Sequence, residues 1–236
     1  MCWSASASLA FGTAGVAVAA YTHKKGESKY FTIPLLYFSS MEFLQFFGYL
    51  YLDQCGFEGN SIVTYLSYIH IAFQPIFVNM FLFYNLEKIP RLAVRRAVYG
   101  VSLFFTALIL LKLVPFEPSS LCTAGMSLCG PQLCTQSGNW HLAWSVPTYT
   151  DPIPGDPMIY YSAAAFLVPL TYGAWAGVLQ TILIGPTLAL ILSSGNPLEW
   201  ESIWCFYSVF LIFGVFATRA YKKRKGIPVY KRLVGR

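Results

Sequence analysis

The sequence has few charged residues for its length, and this scarcity restricts the class of protein. Of its 236 residues only 11% are charged, whereas 56% are hydrophobic and 17% are aromatic. A soluble domain carries about 25% charged residues. The composition therefore excludes a soluble globular domain of this size. Long runs without charge recur instead, each close to the ~20 residues with which a helix spans the ~30 Å hydrocarbon core of a bilayer.

Catalytic signatures are also missing. The sequence has three histidines. The topology predicted below puts His23 in the cytosol, His70 in the membrane and His141 on the outer side, so they cannot form an all-histidine metal site. It contains no HExxH, GxSxG, Walker or glycine-rich dinucleotide motif. A membrane enzyme is therefore less favoured than a binding or structural protein, and the sequence indicates no particular cofactor.

Seven hydrophobic runs predict an all-α integral membrane bundle of seven transmembrane helices, in one domain of residues 1–236. The predicted spans are Met1–Tyr21, Tyr30–Leu52, Ser61–Phe83, Ala97–Phe116, Met158–Trp175, Val178–Ser194 and Ile203–Tyr221. The first run lacks the basic segment of a signal peptide, so it is expected to remain as a helix. The fifth and sixth runs are short and have acidic flanks on both sides, which requires an even number of crossings. Two spans satisfy this requirement, and a re-entrant pair is the alternative.

Lysine and arginine lie on one side of this alternating pattern. Fifteen of the sixteen basic residues fall in the first and third connections or in the C-terminal tail, which includes residues 222–236. Cytoplasmic loops collect these residues, so the N-terminus is predicted to be exoplasmic and the C-terminus cytosolic. The exception, Lys112 in span four, is expected to extend towards the outer headgroups. The net charge of +6 therefore predicts contact with membrane phospholipid and not with nucleic acid.

The predicted topology places all six cysteines on or near the exoplasmic side. They are Cys2, Cys55, Cys122, Cys129, Cys134 and Cys205. Disulfides persist in oxidising compartments, so up to three bridges are expected, with fifteen pairings open. Free buried thiols at Cys2 and Cys205 are an alternative within this scheme.

Three of these cysteines lie in a long outer loop, residues 117–157, between spans four and five. The loop is rich in glycine, proline and serine, so disulfides are expected to hold it as a cap over the helices. A zinc site formed by Cys122, Cys129, Cys134 and His141 is the weaker alternative, because three cysteines and one histidine are a known zinc ligand set.

Polar side chains inside spans two and three mark a candidate ligand site. They are Glu42, Gln45, His70, Gln74 and Asn79. An ionisable side chain at bilayer depth is costly and suggests a function. Gln45 follows Glu42, and Gln74 follows His70, at helical spacing. The two faces are therefore expected to meet, with Glu42 opposite His70. The alternative is a set of interhelical hydrogen bonds, worth ~0.6 kcal/mol each, that fix the bundle.

Several short motifs together resemble a known family. They are Met1-Cys2-Trp3-Ser4, Ser40-Met41-Glu42-Phe43, Gln74-Pro75, His141-Leu142-Ala143-Trp144-Ser145 and Trp204-Cys205. The combination resembles an uncharacterised family of multi-span proteins that begin Met-Cys-Trp-Ser and occur in algae, fungi, bacteria and large viruses. The resemblance covers most of the chain and implies a polytopic fold, and it implies no activity.

Three functions follow from these features. The leading one is binding or transport of a small molecule or lipid through a site between spans two, three and seven, with the outer loop over its mouth. The second is a structural or accessory subunit of a larger membrane complex. The third is a membrane-embedded thiol-redox or transferase enzyme that uses the exoplasmic cysteines. The expected partners are membrane lipids, a small-molecule ligand and other membrane proteins.

Overall fold

The computed structural model describes residues 3–86, 88–116 and 120–225, and it is mostly helical. The elements are α1 (Ala5–Lys24), α2 (Lys29–Leu50), α3 (Glu58–Asn85), α4 (Leu92–Leu111), β1 (Cys134–Ser137), β2 (Leu142–Ser145), α5 (Pro157–Leu170), α6 (Trp175–Leu192) and α7 (Trp200–Arg224). A π-helical segment, Ala163–Leu167, lies within α5, and α6 is interrupted at Gly185.

A helix lies at each of the seven predicted hydrophobic runs. By length and composition, α1, α3, α4 and α6 are long and apolar enough to cross a membrane, whereas α5 and the first part of α7 are shorter apolar helices. Helices α3 and α7 are among those that begin earlier than predicted, α3 at Glu58 and α7 at Trp200. An acidic residue, Glu58 or Glu201, lies in the first turn of each. The charge of these residues excluded the two turns from the predicted hydrophobic runs. The same charge stabilises the turns as helix, because a carboxylate interacts favourably with the positive end of the helix dipole.

Helix α3 lies at the centre of the molecule. Of its most apolar 18-residue window 72% is buried, against 22–28% for α1, α4 and α6. Pro75 removes one backbone donor inside this helix. In the preceding turn the Tyr37 hydroxyl donates to the His70 carbonyl (2.5 Å), and the Thr106 hydroxyl donates to the Ala72 carbonyl (2.8 Å). Pro75 leaves the Ile71 carbonyl without its helical donor, so side chains of α2 and α4 attach to α3 at the two residues on either side of it.

Small residues allow α1 and α2 to pack closely. The buried positions of α1 include Ser8, Gly12, Gly15 and Ala19, which share one helix face. A methyl group on Gly15 would overlap the Ser39 side chain of α2. Small side chains at such spacing let two backbones approach each other, so this face determines the position of α1.

Two disulfides connect the loop after α4 to the helices and to itself. Cys55 in the α2–α3 turn bonds to Cys134 of β1, and Cys122 bonds to Cys129. Two of the up to three predicted disulfides are therefore present among the described residues, and the zinc alternative is wrong, because three of its four proposed ligands are in these disulfides. Cys205 is a free, buried thiol. Cys2 lies outside the described residues.

One amide side chain contributes much of the hydrogen bonding between the β1–β2 hairpin and the start of α3. Asn60 Oδ1 accepts from the Thr135 N–H (2.8 Å), while Asn60 Nδ2 donates to the Thr135 carbonyl (2.8 Å). These two bonds occupy backbone groups of β1 in the way that a neighbouring strand would. An exposed strand edge is a site of unwanted pairing, and the side chain of α3 closes this part of it.

Lys112 does not extend to solvent or headgroups, contrary to the prediction. Its side chain is 2% exposed, and its ammonium donates to the carbonyls of Tyr149 (3.1 Å) and Ile153 (2.8 Å). The loop before α5 folds back over the end of α4 and supplies these acceptors. The lysine therefore attaches the loop to the helix.

Candidate functional site

Two of the predicted site residues reach α7. Gln45 of α2 donates through Nε2 to the Ser202 carbonyl (3.1 Å), and Gln74 of α3 donates through Nε2 to Cys205 Sγ (2.8 Å). Gln74 Oε1 accepts from the hydroxyl of Tyr161 on α5 (2.9 Å). We call the residues Glu42, Gln45, Gln74, Tyr161 and Cys205 the polar centre. It connects four helices through buried hydrogen bonds.

Two members of the polar centre, Glu42 and Gln45, have buried side-chain oxygens without a hydrogen-bond partner among the described residues, and Glu42 is the charged one. The Glu42 side chain is 0% exposed, and neither carboxyl oxygen makes a hydrogen bond of normal geometry among the described residues, although the Ser8 hydroxyl of α1 lies nearby. The Glu42 side chain packs against the Gly12 position of α1. Burying a polar group without a partner is costly, so this position is either a local destabilising feature or a functional one.

His70 lies away from Glu42. Its Nε2 atom is 2.9 Å from the Tyr37 carbonyl and 3.2 Å from the Ser40 hydroxyl, and its ring stacks on that of Tyr37 at 4.0 Å. Positions 40 and 42 of a helix differ in direction by about 200°. The structure therefore does not bring the expected pair of Glu42 and His70 together, because His70 packs on the face of α2 that carries Tyr37 and Ser40.

Asn79 uses its hydrogen-bonding groups to fix the bundle. Its Nδ2 donates to the carbonyls of Pro75 (2.8 Å) and Ala164 (2.9 Å), and its Oδ1 accepts from the Tyr172 hydroxyl (2.9 Å). Ala164 belongs to the π-helical segment, where altered helix pairing leaves carbonyls accessible to other donors. For Asn79 the geometry therefore matches the interhelical hydrogen-bonding interpretation.

A cavity of about 320 Å³ lies between α5, α6 and α7. Its walls are mainly apolar and aromatic, and they consist of Met158, Tyr161, Ser162, Phe166, Ile182, Pro186, Ala189, Leu190, Trp200, Glu201 and Trp204. We call it the Glu201 cavity. At Gly185, where α6 is interrupted, the backbone lies so close to Trp204 that a side chain would overlap the Trp204 ring. This close approach contributes to the shape of the cavity, which Trp204 lines.

Unpaired polar atoms occur in the walls of the Glu201 cavity. Glu201 is 3% exposed, and its Oε2 atom has no hydrogen-bond partner among the described residues. The indole Nε1 atom of Trp200 is also buried and has no hydrogen-bond partner in the described part of the chain, whereas the indole of Trp204 lies near the Tyr161 hydroxyl. The sequence prediction missed this site, because it assigned Glu201 to an outer connection. The available signal was the spacing of Trp204, which lies four residues after Trp200 and three after Glu201 and is therefore a helical neighbour of both.

Tyr161 connects the Glu201 cavity to the polar centre. One part of its side chain lines the cavity, and its hydroxyl donates to Gln74. Gln74 in turn donates to Cys205. The Tyr161 side chain would therefore lie between a molecule in the cavity and the hydrogen bonds that join α3 to α7.

Glu199 and His141 attach the hairpin to α7. The Glu199 carboxylate accepts from the backbone N–H groups of Asn139 (2.5 Å), Trp140 (2.9 Å) and His141 (3.0 Å). His141 is 0% exposed, and its Nδ1 accepts from the Leu142 N–H at 2.7 Å. Burial lowers the pKa of His141 to about 3. The histidine is therefore neutral at physiological pH and carries its proton on Nε2.

The fold and the cavity define a mostly helical, disulfide-bonded protein, in which four helices of the described ranges are long and apolar enough to cross a membrane. The chain belongs to a family of unknown function, DUF5765, whose model matches residues 6–225. Searches among curated proteins and among solved structures found no match. The predicted resemblance to an uncharacterised family is confirmed.

Proposed function

We propose that this protein spans the membrane seven times and binds a small lipophilic molecule in the Glu201 cavity. The observation that carries the proposal is an apolar cavity of about 320 Å³, in whose wall a buried carboxylate oxygen has no hydrogen-bond partner among the residues that the structure describes. Small-molecule sites have volumes of about 300–1,000 Å³ and combine apolar walls with a few polar groups. The Glu201 cavity has these properties.

Charge and disulfide positions support the proposed orientation. In a seven-span arrangement with an exoplasmic N-terminus, the basic residues of the α1–α2 and α3–α4 connections face the cytosol. Both disulfides and the hairpin then lie at the opposite end, which agrees with an oxidising compartment. The Glu201 cavity lies near this end, because the start of α5, the end of α6 and the start of α7 form it.

The exposed face of α6 supports access to the cavity from the bilayer. Its apolar side chains include Trp175, Leu179 and Leu183, which are 54–65% exposed. Leu190 is 53% exposed and also lines the cavity. In a membrane these side chains contact lipid, so a lipophilic molecule would reach the cavity beside α6 without crossing water.

Binding is favoured over transport by the packing of the polar centre. The hydrogen bonds of Gln45 and Gln74 to α7 join the helices along which a transported molecule would need to pass. The thiol-enzyme alternative finds little support among the described cysteines, because four form disulfides and Cys205 is 0% exposed.

Photolabelling tests the proposed binding site. We expect a photoreactive diazirine analogue of 1-octanol to label residues of the Glu201 cavity saturably in the purified protein. Ala189→Phe would fill the cavity and reduce this labelling by about tenfold, a change of about 1.4 kcal/mol in binding free energy. The control is Leu183→Phe, which adds a ring on the exposed face of the same helix. Equal cavity labelling in both variants would contradict the proposal.

A further inference from the structure

The wall of the Glu201 cavity contains an acid but no base. Its eleven lining residues include one carboxylate, Glu201, and no lysine, arginine or histidine. Oε2 of this carboxylate has no protein partner among the described residues. A buried carboxylate without a partner is costly, whereas a cation beside it is attracted strongly where water is excluded. The cavity therefore favours a ligand that brings its own positive charge.

Aromatic rings surround the carboxylate. Trp200 and Trp204 flank Glu201 on α7, while Tyr161 and Phe166 line the cavity from α5. The ring of Phe166 meets that of Trp204 edge-on, at 5.8 Å between centroids. Aromatic faces attract ammonium groups, and they do so more strongly in dry sites. Rings and a carboxylate in one cavity are thus suited to an alkylated ammonium group.

The size of the cavity limits the rest of the ligand. A volume of about 320 Å³ holds roughly ten groups of about 30 Å³ each. This suits an ammonium group with a single short alkyl chain. Alternatively, the headgroup of a lipid would occupy the cavity while its acyl chains remain in the bilayer.

We infer that the ligand of the Glu201 cavity is an amphiphile with an alkylammonium group, and that Glu201 is its counter-ion. This inference rests on the proposed function, because it requires that the cavity binds a small molecule. It assigns Glu201 a binding role and identifies the chemical class of the ligand.

Competition among three probes of equal chain length tests the charge preference. We expect octylammonium to displace the photoreactive octanol analogue better than 1-octanol does, and octanoate to displace it least. Glu201→Gln removes the charge and keeps the shape, so it should reduce the advantage of octylammonium over 1-octanol by about tenfold. The partitioning of a given probe into the detergent is the same for every variant. A difference in competition between variants therefore reports on Glu201.

Glu58→Gln is the matched control, because Glu58 also lies in the first turn of a helix but is exposed. This variant should retain the full preference for octylammonium. If 1-octanol or octanoate binds the wild-type cavity as well as octylammonium does, the ammonium inference is wrong while the binding function stands. If no probe protects the cavity from labelling, both are wrong. The wild-type comparison remains decisive even if Glu201→Gln does not fold.

Nanodiscs distinguish the two sources of the ammonium group. In phosphatidylcholine the headgroup itself would occupy the cavity, so octylammonium would compete less well than in an uncharged galactolipid. Equal competition in both lipids would identify a free amine as the ligand. A weaker competition in the galactolipid would contradict the inference, because that lipid has no ammonium group.

Discussion

At the scale of single residues, buried polar side chains in this protein have different roles. Asn79 and Glu199 are saturated with hydrogen bonds and hold segments together. Glu42 and Glu201 are also buried, but both have carboxyl oxygens without a hydrogen bond of normal geometry in the part of the chain that the structure describes. A satisfied group stabilises one arrangement of the chain, whereas an unsatisfied one costs free energy unless a further partner supplies the missing hydrogen bond. Of these two carboxylates, Glu201 adjoins the cavity.

His141 makes the stability of the protein depend on pH. The pKa of His141 is about 3 in the folded chain and near 6.5 when the chain is unfolded. Between these values the unfolded state binds the extra proton, so the free energy of unfolding should fall as the pH decreases. The expected slope from this residue approaches about 1.4 kcal/mol per pH unit. Thermal unfolding of the purified protein between pH 7.5 and 4.5 measures it.

The contribution of His141 is separated from other groups by His141→Asn, which keeps an acceptor near the position of Nδ1. This variant should lose less stability on acidification than the wild-type protein. His23→Asn, at an exposed position of α1, should behave like the wild type. Parallel curves for His141→Asn and the wild type would show that this histidine does not titrate as its burial requires.

At the scale of elements, close packing explains how short or weakly apolar helices keep their places. Helix α1 meets α2 through a face of small residues, and α5 is attached to α3 through Asn79 and Tyr161. These contacts need a specific rotation of each helix about its axis. The position of each helix therefore depends on a few complementary side chains as well as on hydropathy.

Gly15→Ala tests the α1–α2 interface. The added methyl group would overlap the Ser39 side chain, so we expect a loss of roughly 1–3 kcal/mol, typical of an overpacked contact. Gly100→Ala in α4 is the control, because its methyl group would meet open space, and it should be neutral or stabilising by about 1 kcal/mol. Thermal unfolding measures both changes.

A second substitution can restore the interface. Ser39→Gly removes the atoms that the new methyl group would overlap, so the double variant Gly15→Ala/Ser39→Gly should recover much of the lost stability. Contacting residues show such non-additive effects. Simple addition of the two single effects would mean that α1 and α2 do not meet at these positions.

At the scale of the whole molecule, the distribution of charge and of disulfides divides the chain into two ends. The exposed lysines Lys24, Lys25 and Lys88 lie in the connections opposite the disulfide-bonded hairpin. Lys112, near the hairpin, is buried. This asymmetry is the basis of the proposed orientation, and it also provides a way to test it.

A membrane-impermeant amine reagent distinguishes the two orientations. On intact cells that carry the protein in the plasma membrane, we expect Lys25 and Lys88 to remain unlabelled, because the proposed topology places them in the cytosol. After permeabilisation both should react, and the buried Lys112 should react in neither condition. Peptide mass spectrometry identifies each labelled lysine. Labelling of Lys25 in intact cells would reverse the orientation and place the hairpin inside.

The positions of the helices, the presence of disulfides and membership of an uncharacterised family could all be predicted from the amino-acid sequence. Each depends on local signals, since hydropathy over about 20 residues is sufficient to identify a helix of membrane length. The tertiary structure alone decided the pairing of Cys55 with Cys134, the separation of Glu42 from His70 and the burial of Lys112. The Glu201 cavity, too, follows only from the tertiary structure. These features depend on which helix faces meet, and that is determined by packing between residues far apart in the chain.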